Sequence, residues 1–311
     1  MIKKIGKEHG TMEFYDDEYL DNFLSIKFIG MGTAGASASD YFSEVGNDFF
    51  PERLIVSNED ADLRVKILDF IARVDWLFVI MDIEDLELAE KVAKIIEKTK
   101  TSFDYQFPLI TFLILCPSTE DVRLADIPKS FCTWIILPKD KIAETDLTSN
   151  ELIYRIISVN ASLVLTVNVS EIHSLEDVKK ISLRSRFERN YVIGLDILDV
   201  MDTIKNFGRA CIGFGKSLDA ENNFLAAVKN ALQSPLFIEE IGKAKKVLLV
   251  FVVKKRREFV NMLQINEAAN FLLKLFNPDP ENVFAILWQT LIDETFGDSV
   301  TAFVLATNFE K

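Results

Sequence analysis

Histidine and cysteine, the residues most often found in metal sites and nucleophilic sites, are scarce in this chain of 311 residues. His9 and His173 are the only histidines, which excludes a multi-histidine metal site and argues against a histidine-based catalytic triad. Cys116, Cys132 and Cys211 have no C-x-x-C spacing and lie in apolar runs, which predicts buried, reduced thiols. We therefore expect no metal site.

Basic residues are also in short supply. The chain has 35 Lys and Arg against 48 Asp and Glu, and its formal net charge is −13. Because proteins neutralise nucleic-acid phosphates with Lys and Arg, this balance argues against a nucleic-acid partner.

No apolar run approaches the roughly 20 residues of a membrane span. The N-terminal sequence MIKKIGKEHG has no apolar stretch behind its charges, so no secretory signal is predicted and we expect a soluble, cytoplasmic protein.

Apolar residues, in contrast, make up 49% of the chain and include 25 Phe, which is enough for two packed domains. In the first half, short apolar segments alternate with amphipathic ones, a pattern typical of a mainly parallel sheet with helices on both faces. We predict strands at Ser25–Ile29, Arg53–Val56, Asp75–Met81, Leu109–Cys116 and Thr133–Leu137, and helices at Ala36–Glu44, Leu63–Arg73 and Leu86–Thr99.

A long helix is predicted next, over Ser149–Val167. Thr148 and Glu151 have the spacing of a capping box, and the apolar residues fall on most sides of the helix, as in a helix buried between two domains. After it, helices are predicted near Leu198–Arg209, Asp219–Gln233 and Ile265–Phe276, and strands of a smaller mixed sheet near Val247–Val253, Val283–Trp288 and Ser299–Ala306.

The predicted fold class is α/β, with a Rossmann-like N-terminal domain built on a parallel sheet, a long central helix and a smaller α+β C-terminal domain. The expected boundaries are an N-terminal extension over 1–23, the first domain over 24–146, the central helix over 147–170, a basic insertion over 171–190 and the C-terminal domain over 191–311. The insertion has five cations from Lys179 to Arg189. They form either a solvated edge or a surface for an anionic membrane or an acidic partner.

A G-x-G-x-x-G motif, from Gly30 to Gly35, lies between the first predicted strand and the first predicted helix. Glycines allow close approach of the backbone to a phosphate, and the start of a helix offers unpaired N–H groups to an anion. The pattern matches a dinucleotide site, with Glu59 or Asp60 after the next strand as the ribose-binding acid. The alternative interpretation is a glycine turn that only tightens strand–helix packing. The motif alone leaves both interpretations open.

Several segments, in order along the chain, resemble those of the FtsZ/tubulin superfamily. Residues 26–37 (IKFIGMGTAGAS) resemble the first glycine loop of FtsZ, 53–63 (RLIVSNEDADL) resemble its second strand and the following loop, and 195–200 (LDILDV) resemble its catalytic acidic loop. Further similar segments are 135–141 (IILPKDK), 208–215 (GRACIGFG), 234–236 (SPL), 265–269 (INEAA) and 291–298 (LIDETFGD). The resemblance implies the superfamily fold over about residues 25–309.

The resemblance also implies where a nucleotide would bind. The remaining nucleotide-binding positions are Gly30, Gly32, Thr33, Ala34, Gly35, Asn58, Asp60 and Asn150. Asp196 and Asp199 match the catalytic acids that act in trans, on the nucleotide of the next subunit in a filament. The alternative for these two acids is that one of them caps the helix that follows.

The superfamily's glycine-rich phosphate loop is missing after the third predicted strand. That strand runs into residues 82–87 (DIEDLE), which contain four carboxylates and no glycine. Each charge-assisted hydrogen bond to a phosphate is worth roughly 1.5–3 kcal/mol, so losing about three of them weakens binding roughly 10³- to 10⁶-fold. The carboxylates suit a helix start and are candidates to occupy the place that a phosphate takes in the superfamily.

Recognition of the base is reduced as well. Asp146 aligns with the superfamily's base-stacking Phe, and Asn150 aligns with its guanine-reading Asp. A carboxylate accepts from both guanine N–H groups, whereas an amide presents one acceptor and one donor. Guanine specificity is therefore expected to be weak.

From these features we expect a divergent FtsZ/tubulin-like cytoskeletal or filament-associated protein, defective in GTP binding and hydrolysis, whose partner is a second copy or an FtsZ-like filament. No cofactor is expected; GTP or GDP is expected only if the site works, and the chain would then be a GTPase. Two alternatives stay open. One is a GTP-binding, slowly hydrolysing polymer in cell division or membrane remodelling. The other is a dinucleotide-dependent oxidoreductase, for which the sequence shows no constellation of proton-transfer residues.

Overall fold

The structure of the protein is a computed structural model. It describes residues 26–45, 52–72, 74, 76–82, 86–102, 110–118, 131–169, 191–193, 208–217, 223–237, 244–253, 262–276, 285–292 and 299–307. The N-terminal extension, the basic segment from Lys179 to Arg189, and both Asp196 and Asp199 lie outside the described residues. Among the described residues, no helix has the length and apolar character needed to cross a membrane.

The first half of the chain alternates strands and helices as predicted. Its elements are β1 (Ile26–Met31), α1 (Gly32–Val45), β2 (Glu52–Val56), α2 (Leu63–Ile71), β3 (Trp76–Met81), α3 (Leu86–Ser102), β4 (Ile110–Leu115), β5 (Thr133–Ile136) and α4 (Lys139–Ile142). The ends of the five predicted strands lie within two residues of the observed ends. Helix α1 begins four residues earlier than predicted, because the chain turns into the helix at Gly32.

The second half begins with the long central helix. Its elements are α5 (Ser149–Val169), β6 (Tyr191–Ile193), β7 (Gly208–Lys216), α6 (Phe224–Leu232), β8 (Lys246–Val253), α7 (Met262–Phe276), β9 (Ala285–Ile292) and β10 (Thr301–Thr307). The predicted capping box of α5 is confirmed. The Thr148 N–H donates to Glu151 Oε2 at 2.8 Å, and the Glu151 N–H donates to Thr148 Oγ1 at 3.2 Å.

The described strands form one sheet in the order β2-β1-β3-β4-β5-β7-β10-β8-β9-β6. All pairs from β2 to β7 are parallel, and the remaining pairs are mixed. The predicted parallel and mixed parts are thus confirmed, as is the α/β class. The parts are continuous, since β5 pairs directly with β7 through Thr133–Gly208 and its neighbours.

Helices cover both faces of the parallel part. On one face, Phe28, Phe42 and Ile153 belong to a core that includes α1, α5 and strands of both halves of the chain. On the other face, Val79 and Val92 belong to a core with α2 and α3. Strand β3 is buried along its whole length, which explains its continuous apolar sequence. Helix α5 is buried as predicted at its described apolar side chains, which are Leu152, Ile153, Ile156, Ile157 and Val159.

One predicted helix is wrong at its end. The helix predicted near Leu198–Arg209 would include two residues that lie in β7, a strand that the sequence did not predict. Strand β7 has glycines in its interior, which is atypical of strands. The structure explains them, because a Cβ on Gly213 or Gly215 would clash with the backbone of Ala231 in α6.

Candidate functional site

The carboxyl ends of β1, β3, β4 and β5 meet at one edge of the sheet, where open α/β sheets commonly bind ligands. The start of α5 faces this edge. Between them lies a cavity of about 310 Å³, lined by Thr33, Ala34, Ser37, Cys116, Lys139, Thr148, Ser149, Asn150 and Ile153. Three of the predicted nucleotide-binding residues, Thr33, Ala34 and Asn150, are therefore brought together.

The glycine turn at the start of α1 has a structural explanation of its own. Gly32 has a φ of 62°, a conformation that glycine adopts without strain. Gly30 and Gly35 pack directly on each other, since a Cβ on Gly35 would lie 2.5 Å from Gly30 Cα and 3.0 Å from the Ile80 carbonyl oxygen. The three glycines are thus needed for the turn and for packing, whether or not a phosphate binds beside them.

A carboxylate of the protein itself occupies the start of α1. Asp82 follows β3 and is only 4% exposed. Its Oδ2 accepts a hydrogen bond from Thr33 Oγ1 at 2.6 Å and another from the Ala34 N–H at 2.7 Å. Its Oδ1 accepts from Lys139 Nζ at 2.7 Å. Asp82 is one of the carboxylates that the sequence predicts as candidates for the place of a phosphate. It lies where α1 offers its unpaired N–H groups and the positive end of its dipole.

The surroundings of Asp82 keep its carboxylate ionised. Burial alone would raise the pKa of Asp82, but the hydrogen bonds from Lys139, Thr33 and the Ala34 N–H outweigh burial and lower that pKa. The Lys139 side chain is 45% exposed, so one partner of this ion pair still contacts solvent. We call the three donor residues that bind this carboxylate, Thr33, Ala34 and Lys139, the Asp82 cradle.

The other side of the cavity is formed by the first turn of α5. Thr148, Ser149 and Asn150 line it, and the carboxylate of Glu151 in the same turn accepts from Thr148 in the capping box. The hydrogen bond from the Thr148 N–H lowers the pKa of Glu151, with burial acting against it. This side therefore offers hydroxyl and amide groups to a ligand.

Asn58 and Asp60 do not line the cavity. The Asp60 carboxylate accepts from the Ser57 N–H at 2.8 Å and forms an ion pair with Lys66, which closes the turn between β2 and α2. Asn58 Oδ1 accepts from Lys91 Nζ of α3 at 3.3 Å. In this structure Asp60 stabilises its own loop, and Asn58 connects that loop to α3.

Cys116 lines the cavity as a neutral thiol. It is 1% exposed, and burial, assisted by the charge of Asp82, raises its pKa to about 12. All three cysteines are buried, as predicted. Within the described residues, no group of His, Cys, Asp and Glu is arranged to hold a metal ion.

Sequence reasoning missed Lys139, which completes the cradle. The signal was present, because Lys139 follows β5 closely, just as Asp82 follows β3. Charged residues placed directly after buried parallel strands meet at the same edge of the sheet. Ser37 and Ser149, which also line the cavity, have no comparable signal in the sequence.

The chain is an α/β protein with a cavity at the carboxyl edge of its parallel strands, where α/β proteins of this type commonly bind ligands. No protein-family model matches the chain. A curated relative, cell division protein FtsZ 2 of Thermococcus kodakarensis, is 37% identical over 120 residues, which are 39% of this chain and 27% of that protein.

Solved structures match over nearly the whole chain. A mutant FtsZ of M. jannaschii has a TM-score of 0.65 at 16% identity, covering 94% of this chain and 93% of that chain. A GTPγS-bound protofilament of CetZ2 from Haloferax volcanii has a TM-score of 0.61 at 11% identity, covering 92% of this chain and 94% of that chain. The chain therefore has the fold of the FtsZ and CetZ structures over nearly its whole length, as its motifs predict, and its sequence similarity to FtsZ 2 covers 39% of the chain.

Proposed function

We propose that this FtsZ/tubulin-like cytoskeletal protein acts without bound GTP, by self-association or by association with FtsZ-like filaments. The superfamily supports the cytoskeletal part of this proposal. The independence from GTP rests on one observation, the buried Asp82 carboxylate at the start of α1. We also propose that the protein works in the cytoplasm.

Asp82 opposes a phosphate in two ways. It already uses the Thr33 hydroxyl, the Ala34 N–H and the Lys139 ammonium group, so a phosphate at the same place would have to displace it. A phosphate that lay beside it instead would be repelled. Two like charges 4 Å apart repel by about 4 kcal/mol at an effective dielectric constant of about 20.

Assembly into filaments is supported by the proteins that share this fold. The CetZ2 structure with which this chain superposes is a protofilament. We propose that this chain makes a similar longitudinal contact, and that Asp196 and Asp199 lie on the face that meets the next subunit. Such a chain would present an acidic loop to a nucleotide-bearing neighbour while carrying no nucleotide itself, and it would therefore cap or join an FtsZ-like filament.

A second candidate function is a GTP-binding polymer that hydrolyses slowly. The observation that favours it is the cavity of about 310 Å³, which Thr33, Ala34 and Asn150 still line. In this case Asp82 would have to leave its cradle when the nucleotide binds. The oxidoreductase alternative has less support, because the pyrophosphate of a dinucleotide would need the same helix start that Asp82 fills.

Sedimentation of the purified protein tests the first function against the second. We expect the wild-type protein to pellet alone, or to change the amount of a similar FtsZ that pellets, and to do so equally with GTP, with GDP and without nucleotide. Pelleting that requires GTP would favour the second candidate. A protein that neither pellets nor alters FtsZ assembly would refute the first.

The role of the acidic loop is tested by the double variant Asp196→Ala/Asp199→Ala in the same assay. We expect it to lose the effect on FtsZ filaments. The matched control is Asp62→Ala/Asp69→Ala, which removes two acids from exposed positions in and before α2. Equal behaviour of both double variants would exclude an interface at the acidic loop.

The basic segment from Lys179 to Arg189 remains a candidate surface for an anionic membrane or an acidic partner. Flotation with liposomes that contain or lack anionic lipid separates these cases, at low and at moderate salt. Flotation with anionic liposomes only, weakened by salt, is the result expected for membrane binding.

A further inference from the structure

The Asp82 cradle has the geometry of a ligand site. Its donors come from two segments that are far apart in sequence, the first turn of α1 and the first residue of α4. All three donor–acceptor distances, at 2.6, 2.7 and 2.7 Å, are typical of charge-assisted hydrogen bonds to an anion. The carboxylate joins these two segments across the edge of the sheet.

The donors that bind Asp82 are also open to an anion that is not part of the chain. Thr33, Ala34 and Lys139 bind Asp82, and the same three residues line the cavity of about 310 Å³. A free anion could therefore reach the same donors from the cavity if the carboxylate were removed. The oxygens of a phosphate group present acceptors like those of the carboxylate.

We propose that Asp82 is a tethered ligand. It holds the start of α1 and the start of α4 together as a bound anion would, and its charge opposes a second anion at the same donors. This inference rests on the proposed function, in which the wild-type protein carries no GTP. It adds that the cradle is an intact receptor for phosphate or pyrophosphate whose resident ligand is covalently attached.

Chemical rescue tests the inference. In Asp82→Ala the carboxylate is gone and its space is open, so inorganic pyrophosphate is expected to bind and to raise the thermal midpoint. Calorimetric titration should show an affinity at least roughly tenfold higher than that of wild type, since each recovered charge-assisted hydrogen bond is worth about tenfold or more. Inorganic phosphate should act in the same direction with a smaller effect.

Two further variants identify the site that responds. Asp82→Ala/Lys139→Ala should lose the gain, because it removes the cationic donor. Asp140→Ala is the matched control, since it deletes an exposed carboxylate next to Lys139 and leaves the cradle unchanged. Its response to pyrophosphate should equal that of wild type.

The outcomes separate this inference from the proposed function. If Asp82→Ala folds only with pyrophosphate present, the tethered-ligand role is supported. Asp82→Asn, which keeps the side-chain shape, serves as the second variant, with a smaller gain expected. If neither variant responds, the inference is refuted while a nucleotide-free wild type still supports the proposed function. Guanine nucleotide tightly bound to wild type would instead refute the proposed function.

Discussion

The two sides of the cavity differ in what is left for a ligand. On the α1 side, Thr33, Ala34 and Lys139 provide donors that suit an anion, and Asp82 already uses them. On the α5 side, Ser149 and Asn150 still face the cavity, which has a volume of about 310 Å³. A single carboxylate at the carboxyl edge of a parallel sheet can thus satisfy the donors at a helix start while the adjoining cavity stays open.

The largest effect is expected where the α1 side has no spare space. Gly35→Ala should destabilise the protein by about 3 kcal/mol, because the new Cβ meets the backbone of Gly30. Urea unfolding measures the loss. Ser37→Ala, an exposed change in the same helix, is the control and should stay within about 0.5 kcal/mol of wild type. A Gly35→Ala protein as stable as wild type would mean that the turn is looser than described.

The next effect concerns the ion pair on the α1 side. Lys139→Met leaves the buried Asp82 carboxylate without its cation and should cost about 1–3 kcal/mol, less than a fully buried pair because Lys139 is half exposed. Lys141→Met, which removes a surface cation near Glu144, should cost no more than about 0.5 kcal/mol. Equal urea midpoints for the two variants would show that the cradle adds nothing to stability.

On the α5 side the expected effect is that of a helix cap alone. Thr148→Ala removes the hydroxyl of the capping box and should cost about 1 kcal/mol. It should leave the binding of pyrophosphate to Asp82→Ala unchanged, since the two sides act separately. Asp146→Ala, an exposed change before the helix, is the control for unfolding. Loss of pyrophosphate binding in Asp82→Ala/Thr148→Ala would show that the two sides of the cavity are coupled.

Acidification should reduce the stabilisation that comes from Asp82. Its pKa is lowered in the folded state, so this stabilisation is present above the unfolded-state pKa of about 4 and is lost as the pH falls through the folded-state pKa. The difference in urea midpoint between wild type and Asp82→Asn should therefore shrink between pH 7 and pH 3. A difference that stays constant would show that the charge of Asp82 is not the stabilising feature.

The smallest effect is expected for alkylation of the Cys116 thiol, which lines the cavity between its two sides. Burial raises the pKa of Cys116 to about 12, so it should stay unmodified by iodoacetamide at pH 8 in the native protein. Mass spectrometry before and after unfolding in urea measures the modification. Rapid native alkylation of Cys116 would mean that the cavity opens far more than the structure shows.

Local patterns predicted much of the fold. Five of the six strands of the parallel part follow from their near-continuous apolar runs, and the start of α5 follows from the pairing of Thr148 with Glu151. Strand β7 was not predicted, because its glycines are explained only by the packing of Gly213 and Gly215 against α6. That contact depends on tertiary structure, which a local pattern does not contain.

The site was predictable only in part, for a similar reason. The carboxylates after β3 were candidates for the place of a phosphate, and Asp82 does lie at a helix start. The helix is α1, though, and not the α3 that follows it in the chain. Lys139 is 57 residues from Asp82 in sequence, so their contact arises only from the order of the parallel strands.

The nucleotide content of the purified wild-type protein tests the central claim most directly. The protein is denatured, and the released small molecules are separated by chromatography and compared with GTP, GDP and NAD standards. Because Asp82 already occupies its cradle, we expect the protein to release none of these three nucleotides. About one guanine nucleotide per chain would contradict the account.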